Sequence, residues 1–149
     1  MMPISNEERA KARIWIDFDN TKFIPLFYKI LLTNSEIARK EYKIALQDAF
    51  MFIESHAFKD RGKGSYWLGN FFSLVDAAIY PHFERLGVLE HYRGVSLPNE
   101  CGAIRDWLKA VSEHSSVSKS SHQLDFHIEA YSDYADGSAH GTTAKDMRL

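Results

Sequence analysis

Apolar residues recur every three or four positions along four long stretches of this chain, with almost no alternation of period two, a pattern that predicts helices rather than strands. The first stretch covers residues 6–32. Its start is marked by Ser5, Asn6, Glu7 and Glu8: the Ser5 hydroxyl can accept the Glu8 backbone N–H while the Glu8 side chain reaches back. Pro25 lacks the N–H that would bond the Thr21 carbonyl, so the helix is expected to kink there and continue. A second helix is expected over 35–58, with Tyr42, Ala45, Ala49, Phe52, Ile53 and His56 as its buried stripe.

Residues 59–70 carry three glycines and should form a loop whose end, 66–68, tucks back under the helices. A third helix follows from Leu74, with a kink at Pro81. A fourth, N-capped by Asn99, should bury Ala103, Ile104, Trp107, Leu108 and Val111. Beyond the serine-rich 114–121, residues 122–135 can form a last helix on the stripe of Leu124, Ile128 and Tyr131. Residues 137–149 have little to bury and are expected to be a flexible tail unless a partner or a groove holds them. The pattern is that of an all-α bundle of about five to six helices, one domain over 5–136, without a repeat or a second boundary.

Composition agrees with one ordinary core: 149 residues, 45% hydrophobic and 26% charged. A net charge of −2 with no Lys/Arg block argues against nucleic acid or anionic lipid as partners. The most apolar run, 23–32, is about ten residues, whereas a span needs about twenty. One cysteine and no signal-like apolar run near Met1 suggest a cytoplasmic location.

Ser73 and Asp76, between aromatics, invite a catalytic reading. A nucleophile, however, needs an activating base, an orienting partner and oxyanion donors, and the spacing supplies none of them. An N-cap at Ser73 with Asp76 at N3 explains both residues as a structural capping box, with Phe72 closing over Ala77. Cys101 falls in the first turn of the fourth helix, where a dipole can favour thiolate; an inert, partly buried thiol is the alternative. His122 and His127, five apart, lie on different helix faces and no Cys/His cluster accompanies them, so no metal site is expected.

Three segments in order, 8–32, 64–86 and 104–120, resemble the C-terminal helical domain of cytosolic glutathione transferases, closest to the omega-like and fungal branches. The Ser-Leu-Val-Asp cap with Phe72 and Pro81 is similar to a motif of that family held to be structural. The resemblance covers 6–135 and implies a parent enzyme that conjugates glutathione, its co-substrate, or uses it for thiol transfer. It also implies that the glutathione site and the catalytic Tyr, Ser or Cys belong to a thioredoxin-like domain missing from this chain, so that no catalytic residue is expected here and the chain alone should be inactive. In such proteins the first helix lines the cleft for a hydrophobic small molecule, which makes Trp15, Phe18, Lys22, Pro25 and Tyr28 the candidate co-substrate residues. By spacing, Phe18, Lys22, Pro25 and Tyr28 share one helical face, with Trp15 one turn earlier; core or subunit interface is the bland alternative, and Lys22 suits either an acidic ligand group or solvent. The last helix, with Phe126, His127, Tyr131 and Tyr134, is loosely similar to the segment closing the other side of the cleft. An exposed apolar patch would make the chain a homo-oligomer. The alternative function is a non-catalytic interaction module of the kind found in elongation-factor gamma subunits or appended to synthetases.

Overall fold

The computed structural model describes residues 2–59 and 61–146, and among these it contains helices and no strand, only an isolated bridge between Tyr66 and Gly69. Helix α1 (Asn6–Phe18) is N-capped by Ser5, whose hydroxyl oxygen accepts the Glu8 N–H at 3.2 Å. It runs through one π-helical turn (Asp19–Phe23) into α2 (Ile24–Leu32). The interruption therefore precedes Pro25 rather than falling on it. The turn widens around Thr21, the carbonyl Pro25 would have met, and the Ile24 N–H reaches five residues back to the Asp19 carbonyl. Side chains share in the adjustment: Asn20 Nδ2 donates to the Ile16 carbonyl at 2.9 Å and Thr21 Oγ1 to the Asp17 carbonyl at 2.8 Å.

Ser35 caps α3 (Glu36–His56) through the Ala38 N–H. Its buried stripe is Leu46, Ala49, Phe50 and Ile53, because the helix packs on both α2 and α6 and that stripe faces between them. Phe52 and His56, expected inside, are exposed and stack on each other at 4.4 Å. The following loop returns Trp67 to the core at 1% exposure. Gly64 lets it do so: a Cβ there would lie 2.1 Å from the Gly69 carbonyl carbon.

Helix α4 (Leu74–Glu84) contains Pro81 and gives way at Arg85 to α5 (Leu86–Arg93), which ends on Gly94 with φ 63°. Helix α6 (Gly102–Ser112) starts at an N-cap of Cys101, not Asn99. Arg105 accounts for the delay, since its guanidinium donates to the carbonyls of Leu97, Pro98, Asn99 and Cys101 and holds that segment in a turn. The first free N–H groups of α6 are capped from another helix: Glu54 on α3 accepts from Ala103 at 2.8 Å and Ile104 at 2.9 Å.

The serine-rich segment forms a short α7 (Ser115–Ser118). The last helix divides at Tyr131 into α8 (Leu124–Ala130) and α9 (Ser132–Asp136), and the side chain it buries is His127, while Leu124 is 46% exposed. A final α10 (Thr142–Asp146) follows, and Ala139 and Ala144 pack on Leu32, so a groove holds this part of the segment expected to be a flexible tail. Residues 147–149 of that segment lie outside the described residues.

The core centres on Phe23 stacked on Phe83 at 4.6 Å, with Phe50 edge-on to Phe23 at 5.5 Å and Trp67 edge-on to Trp107 at 4.9 Å. Burying each such side chain stabilises the fold by about 1.5–3 kcal/mol. Helix α1 packs on α4, α2 on α5 and α9, and α6 on both α3 and α4. No helix among the described residues is long and apolar enough to cross a membrane.

Candidate functional site

Helices α1 and α2 present an outer face to α3, and between them lies a groove of about 530 Å³. Phe18, Lys22 and Pro25 line it from one side, Ala45, Asp48 and Phe52 from the other. Phe52, out of the core, forms part of this wall: it stacks on Phe18 at 5.2 Å and Trp15 lies 5.9 Å away. Trp15 does not line the groove itself: it is partly buried behind the Phe18 and Phe52 rings, edge-on to Trp67 at 5.7 Å. Lys22 is exposed at the rim.

Tyr28 does not line the groove, although Pro25, Leu26 and Lys29 on the same helix do. Its hydroxyl lies 3.3 Å from that of Tyr131, its ring 5.9 Å from that of Tyr134, and it shares a small cavity with Phe27, His82 and Arg85. Burial, then the hydroxyl of Tyr131, push the Tyr28 phenol well above its ordinary value, so it is a neutral hydrogen-bonding group. Tyr131 and Tyr134, on the segment expected to close the other side of the cleft, have their rings near Tyr28 and do not line the groove.

The π turn also buries Asp19, with Oδ2 only 2.7 Å from Nδ1 of His82 on α4. Burial raises the Asp19 carboxyl, and His82 opposes that rise. This pair was missed from the sequence, although Asp19 falls seven residues after the buried Ala12 and four before the buried Phe23, on one stripe. Glu84 and His127 make a similar pair between α4 and α8, 3.3 Å apart. Nothing local in the sequence signals that one.

Ser73 and Asp76 sit at the start of α4 with the reciprocal geometry of a capping box. Asp76, fully buried, accepts from the Ser73 N–H at 2.8 Å, the Ser73 hydroxyl at 2.7 Å, the Trp67 N–H at 2.8 Å and the Trp107 indole N–H at 2.8 Å. A carboxylate so occupied has no lone pair directed at a substrate, and the Ser73 hydroxyl donates to it rather than to a base. Cys101 is buried, and burial first and Glu54 second raise its thiol, which disfavours the thiolate. Among the described residues no three His, Cys, Asp or Glu side chains converge as a metal site requires.

The chain is thus an all-helical domain pinned by a buried Ser–Asp cap, with an amphipathic groove along its first helices. The chain belongs to the glutathione S-transferase C-terminal domain family, whose model matches residues 36–110. Among its relatives are glutathione S-transferase U22 of Arabidopsis thaliana, 30% identical over 82% of this chain and 54% of that protein, and a probable glutathione S-transferase of Nicotiana tabacum, 28% identical over 80% and 52%. The chain thus spans about half the length of these relatives. Its fold matches a Tau-class glutathione S-transferase from mango with a TM-score of 0.83 at 20% identity, covering 91% of this chain and 62% of that one. It also matches glutathione transferase Omega 3C of Trametes versicolor with a TM-score of 0.74 at 24% identity, over 94% and 58%. Plant and fungal classes both fit the fold, so the omega-like, fungal branch expected from the motifs is not singled out.

Proposed function

We propose that this chain is the co-substrate-binding half of a glutathione transferase, with the groove between α1–α2 and α3 receiving the apolar part of an electrophile. The observation that carries the proposal is the groove itself: Phe18, Lys22 and Pro25, the positions implied by family resemblance, line one recess with Phe52. Glutathione and the residue that activates its thiol are supplied by a thioredoxin-like domain acting together with this one. The buried, raised thiol of Cys101 and the fully occupied Asp76 support that division of labour. The parent enzyme conjugates glutathione or transfers thiols.

Self-association fits the same proposal. Ile37, Ile44 and Met51 follow one another at intervals of seven along α3 and are 75%, 60% and 43% exposed, an apolar stripe suited to a second copy.

Titration of the chain with a small apolar electrophile, followed by tryptophan fluorescence, tests the groove. Trp15 should report the binding, so Trp15→Phe should remove most of the signal, and Ala45→Phe, which fills the groove, should weaken binding at least tenfold. Affinity unchanged by Ala45→Phe would place the ligand elsewhere and overturn the proposal.

A further inference from the structure

Lys43 and Gln47 of α3, with the 94–99 loop between α5 and α6, enclose a recess of about 260 Å³ that shares no lining residue with the groove along α1. Its wall differs in kind. Among the described residues no aromatic ring lines it, and its polar side chains are the Lys43 ammonium, the Ser96 hydroxyl and the amides of Gln47 and Asn99. Backbone donors add to these. The N–H groups of Ser96, Leu97 and Asn99 meet no acceptor among the described residues. For Asn99 the reason is Arg105, whose Nη1 donates to the Pro98 carbonyl at 2.8 Å: a trans peptide turns the N–H of the same unit the opposite way, and Arg105 does not line the recess.

The charge around this recess is one-sided. Lys43 Nζ donates to the Arg93 carbonyl at 2.6 Å, Arg93 to the carbonyls of Leu31 and Ala135, Arg39 to that of Thr33, and Arg105 to those of the loop. Carbonyl partners hold a cation in place without neutralising it. Among the described residues no carboxylate forms an ion pair with any of these four cations. Half-buried Lys43 is the one that lines the recess, and two of its three N–H donors are still available.

We propose that this recess binds a small phosphate monoester, its phosphate on Lys43 and the loop N–H groups and its hydroxyls on the side chains of Gln47 and Asn99. An ammonium is a point charge, and with donors spread along a loop it suits a tetrahedral group with three acceptor oxygens; a planar carboxylate would call for a guanidinium fork. The recess is larger than a phosphate group alone, and its polar wall favours a hydroxylated remainder over an apolar one.

Calorimetric titration of the full chain with glycerol 3-phosphate and with glycerol, at one fixed ionic strength, tests the assignment. The ester should bind and glycerol should not. Lys43→Met should weaken the ester about tenfold or more, and Lys43→Arg, which keeps the charge, should retain part of the affinity. Lys40→Met removes a cation from the same helix but outside the recess, and should leave the affinity within about twofold. In amide spectra of the wild type, the ester should shift the resonances of Ser96, Leu97 and Asn99. Absence of binding by the ester, an equal loss in Lys40→Met and Lys43→Met, or loop amides that do not move would each overturn the proposal. None of these variants lines the groove along α1, so this site and the co-substrate groove stand or fall independently.

Discussion

The Asp76 carboxylate accepts the indole N–H of Trp107 at 2.8 Å across 31 positions of chain. The same oxygen accepts the Trp67 N–H, so one buried acid fixes the start of α4, the middle of α6 and the loop between α3 and α4.

Removing that acid leaves buried donors without acceptors, each costing about 1–3 kcal/mol. Asp76→Ala should therefore lower the unfolding free energy in urea by at least about 3 kcal/mol, against about 1 kcal/mol for Ser73→Ala. A loss under about 1 kcal/mol for Asp76→Ala would show that water replaces the carboxylate.

Glu54 caps α6 from a different helix. Its loss should cost about 1–2 kcal/mol and should speed amide hydrogen exchange at Ala103 and Ile104 in particular. Exchange in Glu54→Ala that matched the wild type at these two amides would contradict the capping role.

Asp19 sets a pH dependence. Its carboxyl lies above the ordinary value of 3.8 because burial disfavours the charge, so the native state binds this proton more tightly than the unfolded chain does. Its contribution to stability is full below that ordinary value and is lost as pH rises through the raised native one. Asp19→Asn, which has no proton to lose, should gain stability relative to the wild type as pH increases from 3.8 toward neutrality, as measured by urea unfolding at several pH values. A difference that is flat, or that shrinks with pH, would show the His82 ion pair outweighing burial.

The exposed stripe on α3 predicts self-association. Ile44→Asp should shift the mass measured by light scattering toward the monomer without changing helix content, whereas a wild-type chain already monomeric at high concentration would contradict it.

What could be read from the sequence follows the distance over which each feature is specified. The Ser5 cap and the Ser73–Asp76 pair lie within one helical turn, and the residue types declare them. The inward stripe Ile104, Trp107 and Val111 is likewise set by local spacing. Contacts between distant segments were not legible: Glu54 capping α6 forms at a separation of 50 residues for Ile104, and Glu84 meets His127 from another helix. The Asn99 cap failed because Arg105 captures the carbonyls that precede α6. The π turn ahead of Pro25, which buries Asp19, was not legible either, because α periodicity carries no information about it.

Assay of glutathione conjugation to 1-chloro-2,4-dinitrobenzene by the purified 149-residue chain tests the division between binding and thiol chemistry most directly. The predicted rate equals the uncatalysed background and is unchanged by Cys101→Ala or Ser73→Ala. Turnover well above background, abolished by either substitution, would contradict it.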